Sequence, residues 1–113
     1  MNIQIFGTKK SQDTKKAQMF FKERRIPFQF IDMKEKGLSR GELSSVIQAC
    51  GGPEKIVETK LKDDTDAVTL QYLVDSQKTD FLFEHQEIIK LPIVRNGKQA
   101  TVGYEPETWK KWQ

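Results

Sequence analysis

Hydrophobic and polar positions change period several times along the chain, and each change marks an element. Residues 2–6 are apolar on both faces of an extended backbone, the pattern of a strand covered on both sides. After Gly7 the period becomes helical. Ser11 is a suitable N-cap, Asp13 stands in the first turn where negative charge is favoured, and Ala17, Phe20 and Phe21 share one face, which predicts a helix over residues 11–24. Pro27 interrupts helix formation, and residues 26–31 read as a second strand from their aromatic and β-branched content. Strand, helix and strand over about 30 residues imply a parallel βαβ unit with a right-handed crossover.

The middle of the chain is helical. Ser39 and Glu42 form a capping box, and Leu43, Val46, Ile47 and Cys50 follow at i, i+3, i+4 and i+7 until Gly51 and Gly52 end the helix. Pro53 opens a short helical turn through Val57, residues 65–75 carry Leu70, Leu73 and Val74, and Thr79 is expected to cap a further helix running to about Ile89. These helices look like an insertion. Residues 91–103 then give two strand runs joined by Asn96-Gly97, a strong hairpin signal. A last helix starts near Pro106 and sets Trp109 and Trp112 three apart, so that both can pack on the sheet.

Composition mostly excludes. The 113 residues fit one compact domain, no internal repeat or low-complexity linker is visible, and no apolar run approaches the roughly 20 residues of a membrane span. Met1 is followed at once by a strand, so no secretory signal is expected. The single cysteine, Cys50, excludes a disulfide within the chain, a Cys-x-x-Cys pair and a cysteine-rich zinc cage; no metal site is expected, and a reduced cytoplasm is the simplest setting. The net charge of +3 is mild, and Lys and Arg are scattered with acids between them. Lys9, Lys10, Lys15 and Lys16 come nearest to a cluster, so neither nucleic acid nor a membrane is an expected partner.

The chemistry concentrates at the first strand-to-helix turn. Thr8, Lys9, Lys10 and Ser11 stand where unpaired backbone N–H groups and the helix dipole favour an anion, and phosphate, sulfate or a glutathione carboxylate would suit it. A cysteine at such a helix start would be held as thiolate. Ser11 cannot do that work, because its hydroxyl does not ionise without a general base and forms no disulfide; a helix N-cap is its structural role. Cys50 sits at the last apolar position of its helix, where the dipole disfavours a thiolate, and reads as a packing residue. His85 shares a stripe with Phe81, Ile88 and Ile89, which points to helix packing or to capping the turn before Pro92.

Four motifs together resemble the arsenate reductase (ArsC) and Spx family. The opening strand and turn lead to Lys15-Lys16-Ala17 in register with the family's Lys-Lys-Ala, and Ser11 stands where its catalytic cysteine belongs. Residues 52–60 are similar to its glycine, short helix and Thr-Arg, with Lys60 in place of the arginine. Residues 85–92 resemble its His-Pro-x-Leu-Ile-Arg/Lys-Arg-Pro, with Leu91 in place of the arginine before the proline, and Val102-Gly103-Tyr104 matches its closing Val-Gly-Tyr.

The resemblance implies an α/β, thioredoxin-like, glutaredoxin-like fold. Its small mixed four-stranded sheet is flanked by helices, with a core at about residues 1–36 and 88–113, a helical insertion at about 37–87, and Pro92 as the cis-proline. It further implies a degenerate family site at Ser11, Lys60, Leu91 and Pro92, with no confident catalytic residue, because Lys60 keeps charge without the planar fork of arginine and Leu91 keeps neither. The expectation is a cytoplasmic, monomeric binding or regulatory module without thiol catalysis and without a cofactor. Its partner could be the C-terminal domain of the RNA polymerase alpha subunit, reached through the segment at Gly52. The alternative is a glutathione-linked or glutaredoxin-linked, arsenate reductase-like oxidoreductase, for which glutathione would be the co-reactant.

Overall fold

In the computed structural model, which describes residues 1–61 and 63–112, four strands form one mixed sheet in the order β2-β1-β3-β4. They are β1 (Ile3–Gly7), β2 (Phe28–Asp32), β3 (Ile93–Asn96) and β4 (Gln99–Val102). The helices are α1 (Gln12–Glu23), α2 (Arg40–Cys50), α3 (Thr65–Tyr72), α4 (Asp75–Glu84) and α5 (Pro106–Lys111), with 3₁₀ turns at Pro53–Ile56 and Gln86–Ile88. β1 pairs parallel with β2, Ile5 opposite Phe30, as the crossover requires. The other two pairings are antiparallel.

Alternation along the strands divides the apolar residues between two faces. Ile3, Ile5 and Val94 meet Ala17, Phe20 and Phe21 of α1 and Trp109 of α5 in one cluster, with Phe28, Phe30 and Trp112 at its margin. Phe6 and Ile93 point the other way and pack with Leu43, Val46 and Ile47 of α2, Leu70 of α3 and Leu82 of α4. The sheet therefore lies between the α1/α5 layer and the inserted helices. Among the described residues, no helix is long and apolar enough to cross a membrane.

The capping box of Ser39 and Glu42 forms, with both reciprocal bonds, as the sequence predicts. Several boundaries differ, among them the start of β2, which falls at Phe28 rather than residue 26 because Ile26 N still donates to Phe21 O at 2.9 Å. The helix expected over residues 65–75 stops at Tyr72: Leu73 and Val74 are extended, and Val74 is 60% exposed as the N-cap of α4. Thr79 consequently lies inside α4 and caps nothing. α4 ends at His85 rather than near Ile89, because the chain beyond it pairs with the segment after the first 3₁₀ turn. Glu58 N donates to Ile88 O at 2.9 Å and Lys90 N to Ile56 O at 2.8 Å, and this tertiary pairing outweighs the local helical pattern. In the hairpin, Asn96 is itself paired with Gln99, so the loop is Gly97-Lys98, one residue later than predicted.

Candidate functional site

The end of β1 runs straight into α1, and close packing fixes the join. Thr14 in the first turn of α1 is fully buried against Gly7, and its Cβ would lie only 3.0 Å from a Cβ added there. Only glycine leaves room for the helix to start on the strand end. Ser11 is the N-cap: its Oγ accepts from Thr14 N at 3.1 Å, its own amide donates to Thr8 O at 3.2 Å, and its carbonyl accepts from Lys15 N at 3.2 Å. Lys9 and Lys10 are exposed on the turn and Ser11 is half-buried. The positive end of a twelve-residue helix and two exposed cations thus share one corner.

Beside this turn opens a cleft of about 440 Å³, lined by Thr8, by Met33, Lys34 and Gly37 after β2, and by Phe83, Gln86, Glu87, Ile89 and Leu91 on the opposite wall. The Leu91–Pro92 peptide bond is cis, as the family resemblance implies. Pro92 O accepts from Gly103 N at 2.9 Å, which ties the start of β3 to the end of β4. The pairing of residues 56–58 with 88–90 brings the segment that carries Lys60 alongside. Lys60 itself is exposed, and among the described lining residues Thr8 and Leu91 are present while Lys60 is not.

Gln86 builds the wall that sequence reasoning missed. Its Oε1 accepts from Leu38 N at 2.8 Å, and its Nε2 donates to Leu38 O at 3.0 Å and to Phe83 O at 3.2 Å. This clamp joins the loop after β2 to the end of α4. Nothing in the sequence around a lone glutamine signals a bond to the backbone 48 positions away.

Cys50 lies elsewhere. Its Sγ faces Ala100 O of β4 at 3.6 Å, and Ala100 stands in register with Arg95, which pairs with Gln4. Three residues along β1 and two strands across separate that register from Gly7, roughly 14 Å in all. Burial pushes the thiol pKa above its ordinary value. A raised folded-state pKa means that this contribution to stability is complete below the unfolded thiol value of about 8.5 and is lost as pH rises through the folded value. Urea midpoints measured at pH 7 and pH 10 should therefore fall further in the parent than in Cys50→Ala; equal falls would show that the thiol stays accessible.

Gly52 closes α2 together with Gly51, and both amides donate to Ile47 O at 3.0 Å. With φ of 140° it occupies a conformation rare for L side chains, yet a Cβ there would meet nothing within 4 Å. The glycine serves the backbone and leaves an open surface. His85 stacks on Phe81 at 4.3 Å between ring centroids, as its stripe predicts, and it caps α4 instead of continuing it.

Comparison with known proteins agrees with this architecture. The ArsC family model matches residues 6–112. The global transcriptional regulator Spx 2 of Oceanobacillus iheyensis is 26% identical over 114 residues, covering 95% of this chain and 80% of that protein. The regulator of the same name from Lactococcus lactis is 27% identical over 107 residues, covering 93% and 81%. Among solved structures, an ArsC family related protein from Bacteroides fragilis superposes with a TM-score of 0.85 at 20% identity, over 100% of this chain and 98% of that one. The arsenate reductase from Vibrio cholerae gives 0.81 at 23%, over 98% and 97%. At these identities the structural likeness speaks for the thioredoxin-like fold.

Proposed function

The chain belongs to the ArsC family, and from that membership we propose that its thioredoxin-like scaffold serves as a protein-binding regulatory module and carries out no thiol redox catalysis. The observation that carries this reading is Ser11, whose Oγ is committed to Thr14 N as a helix N-cap at the position the resemblance gives to the catalytic cysteine. An alcohol there neither ionises at neutral pH nor forms the mixed disulfide on which glutathione-linked reduction depends. Cys50, half-buried and with a raised pKa, is a poor substitute. Leu91 on the cleft wall supplies no charge for an oxyanion, so the anion-binding groups left are Thr8 and Lys34 in the cleft lining, together with Lys9, Lys10 and the amides of the turn beside it.

The similarity to transcriptional regulators over 93–95% of this chain favours a regulatory role over a reductase role. The partner proposed is the C-terminal domain of the RNA polymerase alpha subunit, met through the open surface at Gly52, in the cytoplasm. A glutathione-coupled arsenate assay is expected to show no turnover above the buffer rate, and the immobilised polymerase domain is expected to retain the protein. Gly52→Arg should abolish retention and, because φ of 140° strains any L side chain, also lower the thermal midpoint; a native far-UV spectrum of the variant at the temperature of the retention experiment ties the loss to the surface. Turnover that survives Cys50→Ser would favour the glutathione-linked reductase instead. Absence of retention, with a known regulator retained alongside, would remove this partner.

A further inference from the structure

Away from the cleft's apolar floor, three metal-binding side chains from separate parts of the insertion converge. Asp66 lies in the first turn of α3, His85 at the C-terminus of α4 and Glu87 in the following 3₁₀ turn, and their ligand atoms all lie within 4.8 Å of one another. We infer that this triad binds a divalent transition-metal ion, with Zn²⁺ as the reference ion, through one carboxylate oxygen each of Asp66 and Glu87 and through Nδ1 of His85, the remaining position being open to water.

Three features carry the inference. The first is distance: Nδ1 lies 3.2 Å from Asp66 Oδ2 and 3.5 Å from Glu87 Oε1. Zn–N and Zn–O bonds of about 2.0–2.1 Å set tetrahedral neighbours about 3.3 Å apart, so both separations are already those of ligands around one ion. The second is charge. Both carboxylates face a single ring nitrogen, which carries at most one proton, and among the described residues neither has another cationic partner. Protonating the imidazole would still leave one negative charge uncompensated, whereas a divalent cation on the neutral ring balances both carboxylates. The surroundings add to this, since residues 37–87 hold ten Asp and Glu against five Lys and Arg.

The third is preorganisation. Stacking on Phe81 holds the ring, and the backbone of α3 around Asp66 is fixed by Asp64 Oδ1, which accepts from Asp66 N at 2.9 Å and Ala67 N at 3.1 Å. Side-chain exposures of 34%, 35% and 64% for His85, Asp66 and Glu87 leave a path for the ion. One imidazole with two carboxylates suits Zn²⁺ and its first-row neighbours better than Mg²⁺ or Ca²⁺, which prefer oxygen throughout.

The expectation of no metal site came from the thiol count, but imidazole and carboxylate donors need no thiol, and these three meet only once α3 has folded against the end of α4. Bound metal would staple α3 to the turn that leads into Leu91–Pro92. It would also draw the Glu87 carboxylate toward the ion, at the edge of the cleft that Glu87 helps to line.

Chelator-stripped protein titrated with Co²⁺ by visible absorption and with Zn²⁺ by calorimetry is expected to take up one ion per chain with tetrahedral ligand-field bands. His85→Gln and Asp66→Asn should each weaken binding by at least about tenfold. Cys50→Ser should leave it unchanged, and Zn²⁺ should raise the thermal midpoint of the parent but not of His85→Gln. Because a variant could also weaken binding through its fold, ¹⁵N spectra of the parent's only histidine supply the direct readout: Zn²⁺ should shift the Nδ1 resonance. No saturable binding at millimolar metal, binding retained in both ligand variants, binding lost in Cys50→Ser, or an unmoved Nδ1 resonance would each overturn the site.

Discussion

Trp109→Ala is expected to lower the free energy of unfolding by about 3–5 kcal/mol, the range for removing a large aromatic side chain from a packed core. Trp109 is fully buried, with ring centroids 5.2 Å from Phe20, 5.3 Å from Phe21 and 5.6 Å from Tyr104, and its Nε1 donates to Thr101 Oγ1 at 2.8 Å. Truncation opens a cavity between α1 and the sheet and leaves the largely buried Thr101 hydroxyl without that donor. It also releases α5, which has six residues, far too few to persist as an isolated helix, and in which Trp109 is the only buried side chain.

A domain of this size is stable by only about 5–15 kcal/mol, so such a loss would take at least about a fifth of the total and, at the lower end of that range, most of it. Trp109→Phe keeps a ring and gives up the hydrogen bond, so its cost should be much smaller, about 1–2 kcal/mol. Urea titration followed by far-UV circular dichroism measures both, and a loss below about 1 kcal/mol in the alanine variant would mean that α5 is not part of the core.

What could be read ahead of the structure tracks how local its cause is. β1 and β2 were legible because apolar, aromatic and β-branched content acts over a few positions, the hairpin was legible to within one residue from its turn residues, and the Ser39–Glu42 capping box needs only its own four residues. The inserted helices were less legible. By sequence Thr79 is the expected cap and Val74 belongs to the preceding helix; α4 starts at Val74 instead, with Lys78 and Leu82 the side chains that become buried, Lys78 through ion pairs with Asp75 and Glu54. That partner in the 3₁₀ turn is 24 positions distant and invisible to any local pattern.

The same holds for the candidate sites. The turn from Thr8 to Ser11 is contiguous and could be found by inspection, whereas the cleft wall depends on Gln86 reaching Leu38 and the metal triad depends on α3 docking beside His85. The proline before β3 could be assigned as cis only through the family resemblance, since no residue near it sets the isomer by itself.

Ser11→Cys, made in a Cys50→Ser background, is expected to create a reactive thiol where the parent has none. The Sγ would take the place of an oxygen that already accepts from Thr14 N, at the positive end of α1 and beside Lys9 and Lys10, and each of these favours the thiolate. A pKa about one unit below the ordinary 8.5 would raise the thiolate fraction at pH 7 from about 3% to about 24%. The matching loss of intrinsic nucleophilicity, about threefold, leaves a net gain of about threefold over an unperturbed thiol.

Cys50 in the parent has the opposite bias, half-buried and with its pKa raised, so alkylation by iodoacetamide at pH 7 should be at least about tenfold faster in the variant than at Cys50. Arsenate turnover should nevertheless remain absent, because Leu91 still occupies the cleft wall where the resemblance calls for arginine and Lys60 lacks a planar fork. Adding Leu91→Arg and Lys60→Arg to the variant tests whether the oxyanion grip was the second missing part. If the new thiol is alkylated no faster than Cys50, the field at the start of α1 is too weak to support thiol chemistry. The serine would then mark an ordinary helix cap rather than a vacated nucleophile position.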